Sequence, residues 1–124
     1  MRRILVVEDD DLLRESYKII LSSGPYFVET AENGKVGLQR YKQNNYDLVL
    51  LDIMMPVMGG VEFLKSVASL PRKSKIILLT NLSDGPEVEA ALKAGAVGHL
   101  LKADISPKQL ISKVRYEVEA TRYD

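Results

Sequence analysis

The chain has 124 residues, 46% of them apolar and 27% charged, the size and balance of one compact domain and neither those of a disordered nor of a fibrous protein. Seventeen basic and seventeen acidic side chains cancel, so no net field draws the chain to nucleic acid or to an anionic membrane. There is no cysteine, which excludes disulfides and thiolate metal sites, and no apolar run nears the roughly 20 residues that cross a bilayer.

Met1-Arg2-Arg3 opens onto Ile4-Leu5-Val6-Val7, an apolar run too short for a signal-peptide core, so a cytoplasmic protein is the economical reading. That run predicts a first strand. Asp10 or Asp11 can cap the helix that follows, with Leu12, Leu13, Tyr17, Ile20 and Leu21 on its inner face, and Ser22-Ser23-Gly24-Pro25 ends it. A second strand over Phe27 to Ala31 carries Glu29 between apolar neighbours and reads as an edge. The next helix runs from Gly34 through Val36, Leu38 and Tyr41 to Asn44.

Leu48 to Leu51 form a third strand. Gly59-Gly60 is read only as a turn before a helix whose inner residues are Val61, Phe63, Leu64 and Val67 and which stops before Pro71. Arg72-Lys73-Ser74-Lys75 is a solvated loop, since no aromatic residue interleaves with its charges. Ile76 to Leu79 make a fourth strand. Pro86 suits the first position of a fourth helix, which closes at Ala94-Gly95. His99-Leu100-Leu101 give the last strand, and Ser106-Pro107 start a final helix carrying Leu110, Ile111, Val114 and Val118.

All the strand runs except the second are continuously apolar, which implies burial on both faces. The repeated strand-helix order therefore predicts an α/β fold, five βα units doubly wound into a three-layer sandwich about a five-stranded parallel sheet. The whole chain, 1–124, forms one domain on this reading. Ligands of such sheets bind beyond the carboxyl ends of the strands. Standing there are Glu8, Asp9 and Asp10 after the first run, Asp52 after the third, Thr80 after the fourth and Lys102 after the fifth.

Converging carboxylates repel unless a cation sits among them, and oxygen-only ligation suits magnesium. A carboxylate beside that metal can attack phosphorus and form an aspartyl phosphate. Lys102 would neutralise a phosphoryl oxygen, and the Thr80 hydroxyl could hydrogen-bond another. Asp10 and Asp11 are read as helix caps with no share in the chemistry. Met54, Met55 and Met58 are read as packing and loop-covering residues.

ILVVEDD, DLVLLDIMMPVMGG, IILLT and GAVGHLLK, in this order along the chain, resemble the successive signature segments of the response-regulator receivers of two-component systems, the CheY-like group with its flavodoxin-like strand order. The resemblance spans the whole chain. It implies that Asp52 is the phosphoacceptor and that Glu8 and Asp9 are the acidic pair, Asp9 a direct magnesium ligand and Glu8 acting through water. It adds the backbone carbonyl of Met54 as a further ligand, with manganese able to substitute for magnesium. Thr80 and Lys102 match the family's switch hydroxyl and lysine, and His99 stands where the family has an aromatic rotamer switch.

The same resemblance implies a signalling phosphoacceptor that promotes its own phosphoryl transfer and dephosphorylation, charged by a histidine kinase or phosphotransfer protein. Its output would reach a downstream protein or an output domain, with homodimerisation on phosphorylation an option. Met54 and Leu82 take the positions that tune hydrolysis in the family, and both are apolar, so a long-lived phosphoryl state is expected.

Two features depart from the pattern. Ala103 stands where the family has a proline joined by a cis bond, and His99 replaces a Tyr or Phe. Two other functions compete: a receiver-like binding module that signals without phosphorylation, and a phosphatase of the haloacid dehalogenase type. The latter needs a D-x-D-x-T/V motif, and Asp9-Asp10-Asp11-Leu12-Leu13 lacks its last residue. No G-x-x-x-x-G-K-[ST] loop is present for a nucleotide switch.

Overall fold

The computed structural model describes residues 1–71, 74–81 and 84–123, with residues 120–123 by their backbone alone. Arg72, Lys73 and Leu82 lie outside the described residues. Among the described residues five strands alternate with five helices: β1 Arg2–Val7, α1 Asp11–Ser22, β2 Tyr26–Ala31, α2 Gly34–Gln43, β3 Leu48–Asp52, α3 Gly60–Ala68, β4 Lys75–Thr80, α4 Pro86–Lys93, β5 Gly98–Leu101 and α5 Pro107–Tyr123. The sheet order is β2-β1-β3-β4-β5, every pairing parallel. The chain thus winds outward from β1 in both directions, and the order reverses between β1 and β3.

The two-residue period of a strand sends alternate side chains into separate cores. Ile4, Val6, Leu48, Leu50, Ile77 and Leu79 pack with Tyr17 and Leu21 of α1 and Leu110, Val114 and Val118 of α5. Leu5, Val7, Val49, Leu51, Ile76 and Leu78 face the other way, against Tyr41 of α2, Phe63 and Leu64 of α3, and Val88 and Ala91 of α4. This double burial is why the strand runs are continuously apolar.

Helix boundaries follow local chemistry. Asp10, not Asp11, caps α1, its Oδ1 accepting from the Leu13 N–H at 3.0 Å. Asn33 caps α2 in the same way through the Val36 N–H. At α5 the cap is reciprocal: the Gln109 N–H donates to Ser106 Oγ at 3.1 Å while Gln109 Oε1 accepts from the Ser106 N–H at 2.8 Å. Gly95 follows the α4 cap residue Ala94 with φ +124°, a backbone conformation that favours glycine.

Three expectations need correction. Leu12 is not on the inner face of α1: it is 82% exposed and shares the outer face with Ile19, seven residues on, while Leu13, Tyr17, Ile20 and Leu21 turn inward. The final strand is not buried on both faces. β5 is the second edge of the sheet and is half-buried at all four positions, because an apolar run is the same whether or not another strand lies beyond it. Gly60 is more than part of a turn. A Cβ there would lie 2.8 Å from both the Asp52 carbonyl oxygen and the Ile53 Cα, so only glycine lets α3 start this close to the end of β3.

Candidate functional site

The rows of inward-facing residues run on past the ends of the strands. Ile4 and Val6 lead to Glu8, Leu48 and Leu50 to Asp52, and Leu100 to Lys102, so these three polar side chains cap the α1/α5 face of the sheet. The Glu8 N–H donates to the Ala31 carbonyl at 3.0 Å, which prolongs the β1–β2 pairing by one residue and fixes where Glu8 sits. The Lys102 N–H does the same with the Thr80 carbonyl at 2.8 Å.

At the centre is the Lys102 ammonium, 2.6 Å from Glu8 Oε1 and 3.0 Å from Asp52 Oδ2. The three side chains are 9%, 1% and 7% exposed. Asp52 Oδ1 accepts from the Met54 N–H at 3.3 Å, and Glu8 Oε2 from the Asp10 N–H at 3.1 Å. Asp9 completes the cluster from the solvent side: carboxylate oxygens of Glu8, Asp9 and Asp52 all lie within 4.8 Å of one another.

Three carboxylates against a single ammonium leave an excess of negative charge in a sheltered place. Burial pushes the Glu8 carboxyl up to about 7, with the charge of Asp52 adding to the effect and Lys102 opposing it. Burial also raises Asp52 above the ordinary carboxylate range, against the pull of Lys102. For Lys102 itself, burial works to lower the pKa, but the two carboxylates win and hold its proton more firmly than usual. Excess negative charge and an all-oxygen donor set fit a hard divalent cation.

Thr80 ends β4, fully buried, on the α3/α4 side with Ile76 and Leu78. His99 pairs with Leu78 and shares that face, so Thr80 and His99 are diagonal neighbours on adjacent strands. His99 lies outside the carboxylate cluster, half-buried in an edge groove of about 410 Å³ with Asp104, Ile105 and Gln109. Met54 meets the site through its backbone, its side chain being 61% exposed, whereas Met55 and Met58 pack on the core. No cis peptide occurs among the described residues, so Lys102–Ala103 is trans.

Four contributors escape a reading of the sequence. Arg14, one turn into α1, donates to the Glu8 carbonyl at 2.9 Å and steadies the β1–α1 loop. Gly34 brings α2 against the β3–α3 loop, its N–H donating to the Met58 carbonyl at 3.2 Å. Val57, in that loop, has φ +71°, and the Met58 N–H donates back to the Pro56 carbonyl at 2.7 Å across it, a strained γ-turn. The fourth is Tyr17, whose buried hydroxyl has no hydrogen-bond partner among the described residues. A glycine at the start of a helix was visible as such; the other three depend on contacts that no local pattern encodes.

Residues 4–115 match the family model of the response regulator receiver domain. The chain belongs to the response regulator receiver family. This receiver is 34% identical over 116 residues to the transcriptional regulatory protein LnrK of Bacillus subtilis, covering 92% of the chain and 52% of LnrK. It spans about half the length of that regulator, and of the regulator YxjL from the same organism. A CheY-like receiver domain protein of Methanospirillum hungatei superposes with a TM-score of 0.92 at 30% identity, covering 99% of this receiver and 98% of that chain. The response regulator TrrA of Thermotoga maritima, solved in complex with Mg(2+)-BeF, superposes with a TM-score of 0.83 at 37% identity over 94% of this receiver and 99% of TrrA. The doubly wound fold and the strand order follow those of these receivers.

Proposed function

We propose that the receiver, as a single domain over residues 1–124, is the phosphoacceptor switch of a two-component relay and that Asp52 is the residue phosphorylated. The observation that carries this reading is the setting of Asp52, a buried carboxylate held between an ammonium and an excess of acidic oxygens at the strand-order reversal. An oxygen of Asp52 attacks the phosphorus of a phosphohistidine on a kinase or phosphotransfer protein. The new O–P bond forms as the P–N bond breaks, and the imidazole leaves. Water attack later returns inorganic phosphate and the carboxylate, so the protein promotes its own transfer and hydrolysis and processes no separate substrate.

Magnesium, or manganese in its place, would be held by Asp9, Asp52 and the backbone carbonyl of Met54, with Glu8 acting through water; it supplies charge neutralisation that lets two anions meet. Lys102 leaves the carboxylates for a phosphoryl oxygen, and the Thr80 hydroxyl takes another. Movement of Thr80 reaches His99, its diagonal neighbour, and alters the surface around β5 that a downstream protein, an output domain or a second copy reads. Met54 is apolar and orients no attacking water, which supports a long-lived phosphoryl state.

Intact-protein mass after incubation with phosphoramidate or acetyl phosphate, with and without magnesium, tests this for the wild type and Asp52→Asn. A magnesium-dependent single-phosphate adduct absent from the variant is expected. No adduct under any condition would leave a binding module that acts without phosphorylation.

A further inference from the structure

Tyr17 lies on the inner face of α1, only 5% exposed, in the core layer with Ile4, Val6, Leu50 and, partly buried, Leu100. Those are the residues whose rows continue into Glu8, Asp52 and Lys102. The phenol thus shares the core that ends at the charged triad, and its hydroxyl is sealed from solvent without a hydrogen-bond partner among the described residues. Burial and then the negative charge of Glu8 raise the hydroxyl pKa, with smaller effects from Lys102, Asp52 and Asp10, so the group feels the whole cluster and keeps its proton.

A buried hydroxyl without a partner carries its full desolvation cost, and a phenylalanine would fill the same space without it. The hydroxyl gains a role only if the site has another state. In the state seen here Lys102 serves Glu8 at 2.6 Å. On the proposed function, on which this inference rests, Lys102 turns to the phosphoryl group. Glu8 then keeps the Asp10 N–H on Oε2 and its water toward the magnesium, but the buried Oε1 has lost its ammonium and is open to a new donor.

We infer that Tyr17 is a positioning residue whose hydroxyl donates to Glu8 when Lys102 is drawn to the phosphoryl group, holding the acidic pair in place in the phosphorylated state. It touches no reacting atom. The resting protein gains nothing from it; the liganded one does.

The variant that tests this is Tyr17→Phe, which keeps the ring and its packing. Two measurements are compared with the wild type: the urea midpoint without ligand, and the affinity for magnesium plus beryllofluoride by titration calorimetry. The ligand-free midpoint is expected to be equal or higher, while the affinity falls roughly tenfold, the worth of one hydrogen bond to a charged group. A lowered ligand-free midpoint would show the hydroxyl already engaged at rest and overturn the inference. Equal affinity would overturn it too, leaving the phosphoacceptor reading intact. No magnesium-dependent response in the wild type would remove both.

Discussion

Replacing Lys102 with methionine keeps most of the side-chain volume and removes the charge. The ammonium stands 2.6 Å and 3.0 Å from two buried carboxylates. At an effective dielectric constant of about 20 each contact is an attraction of about 6 kcal/mol before desolvation is charged against it. What the variant loses is smaller, about 3 to 5 kcal/mol, the usual result of leaving a buried charge without its partner. The loss must depend on pH. Burial holds the Glu8 carboxyl up at about 7 in the folded wild type against an ordinary 4.5, so the carboxyl favours folding while protonated and that contribution disappears as pH rises through 7. Without Lys102 the folded values of Glu8 and Asp52 rise further. At pH 5 Glu8 holds its proton in both proteins and the gap narrows; at pH 8, without magnesium, the full gap of about 3 to 5 kcal/mol opens, roughly 12 to 20 °C in melting temperature. Urea unfolding of both proteins at the two pH values, in chelator, measures it. Equal stability at pH 8, or a gap of the same size at pH 5, would refute the account of the triad.

Gly60→Ala should cost about 1 to 3 kcal/mol, because the added methyl meets the Asp52 carbonyl and the Ile53 Cα, and neither backbone atom can rotate away. Denaturant unfolding measures the cost, and the rate of phosphorylation by phosphoramidate should fall with it as the end of β3 shifts. Val57→Gly should do the opposite. The side chain is 73% exposed and packs on little, so relief of the positive φ outweighs the extra chain entropy by about 1 kcal/mol, visible as a higher melting temperature.

The order of elements was legible in the sequence because strands buried on both faces must be apolar throughout, while helices buried on one must repeat at their own period. Parallel connections then place every strand's carboxyl end at one edge, so Glu8, Asp9, Asp52, Thr80 and Lys102 could be read as neighbours from their position after an apolar run. That much needs only local pattern and the handedness of crossovers. Which strands are edges is not local: the paired leucines of β5 read as a strand buried on both faces, yet β5 ends the sheet order. Nor is the state of the charges. Lys102 is tied to Glu8 and Asp52, residues 94 and 50 positions earlier in the chain, and burial, helped by the neighbouring carboxylates, makes these carboxyls hold protons more tightly than usual. Tyr17 reads in sequence as an ordinary core residue of an amphipathic helix. Only the packing of α1 on the sheet seals its hydroxyl beside the charged cluster, because a helix pattern specifies which face is buried but not which polar atoms it will meet there.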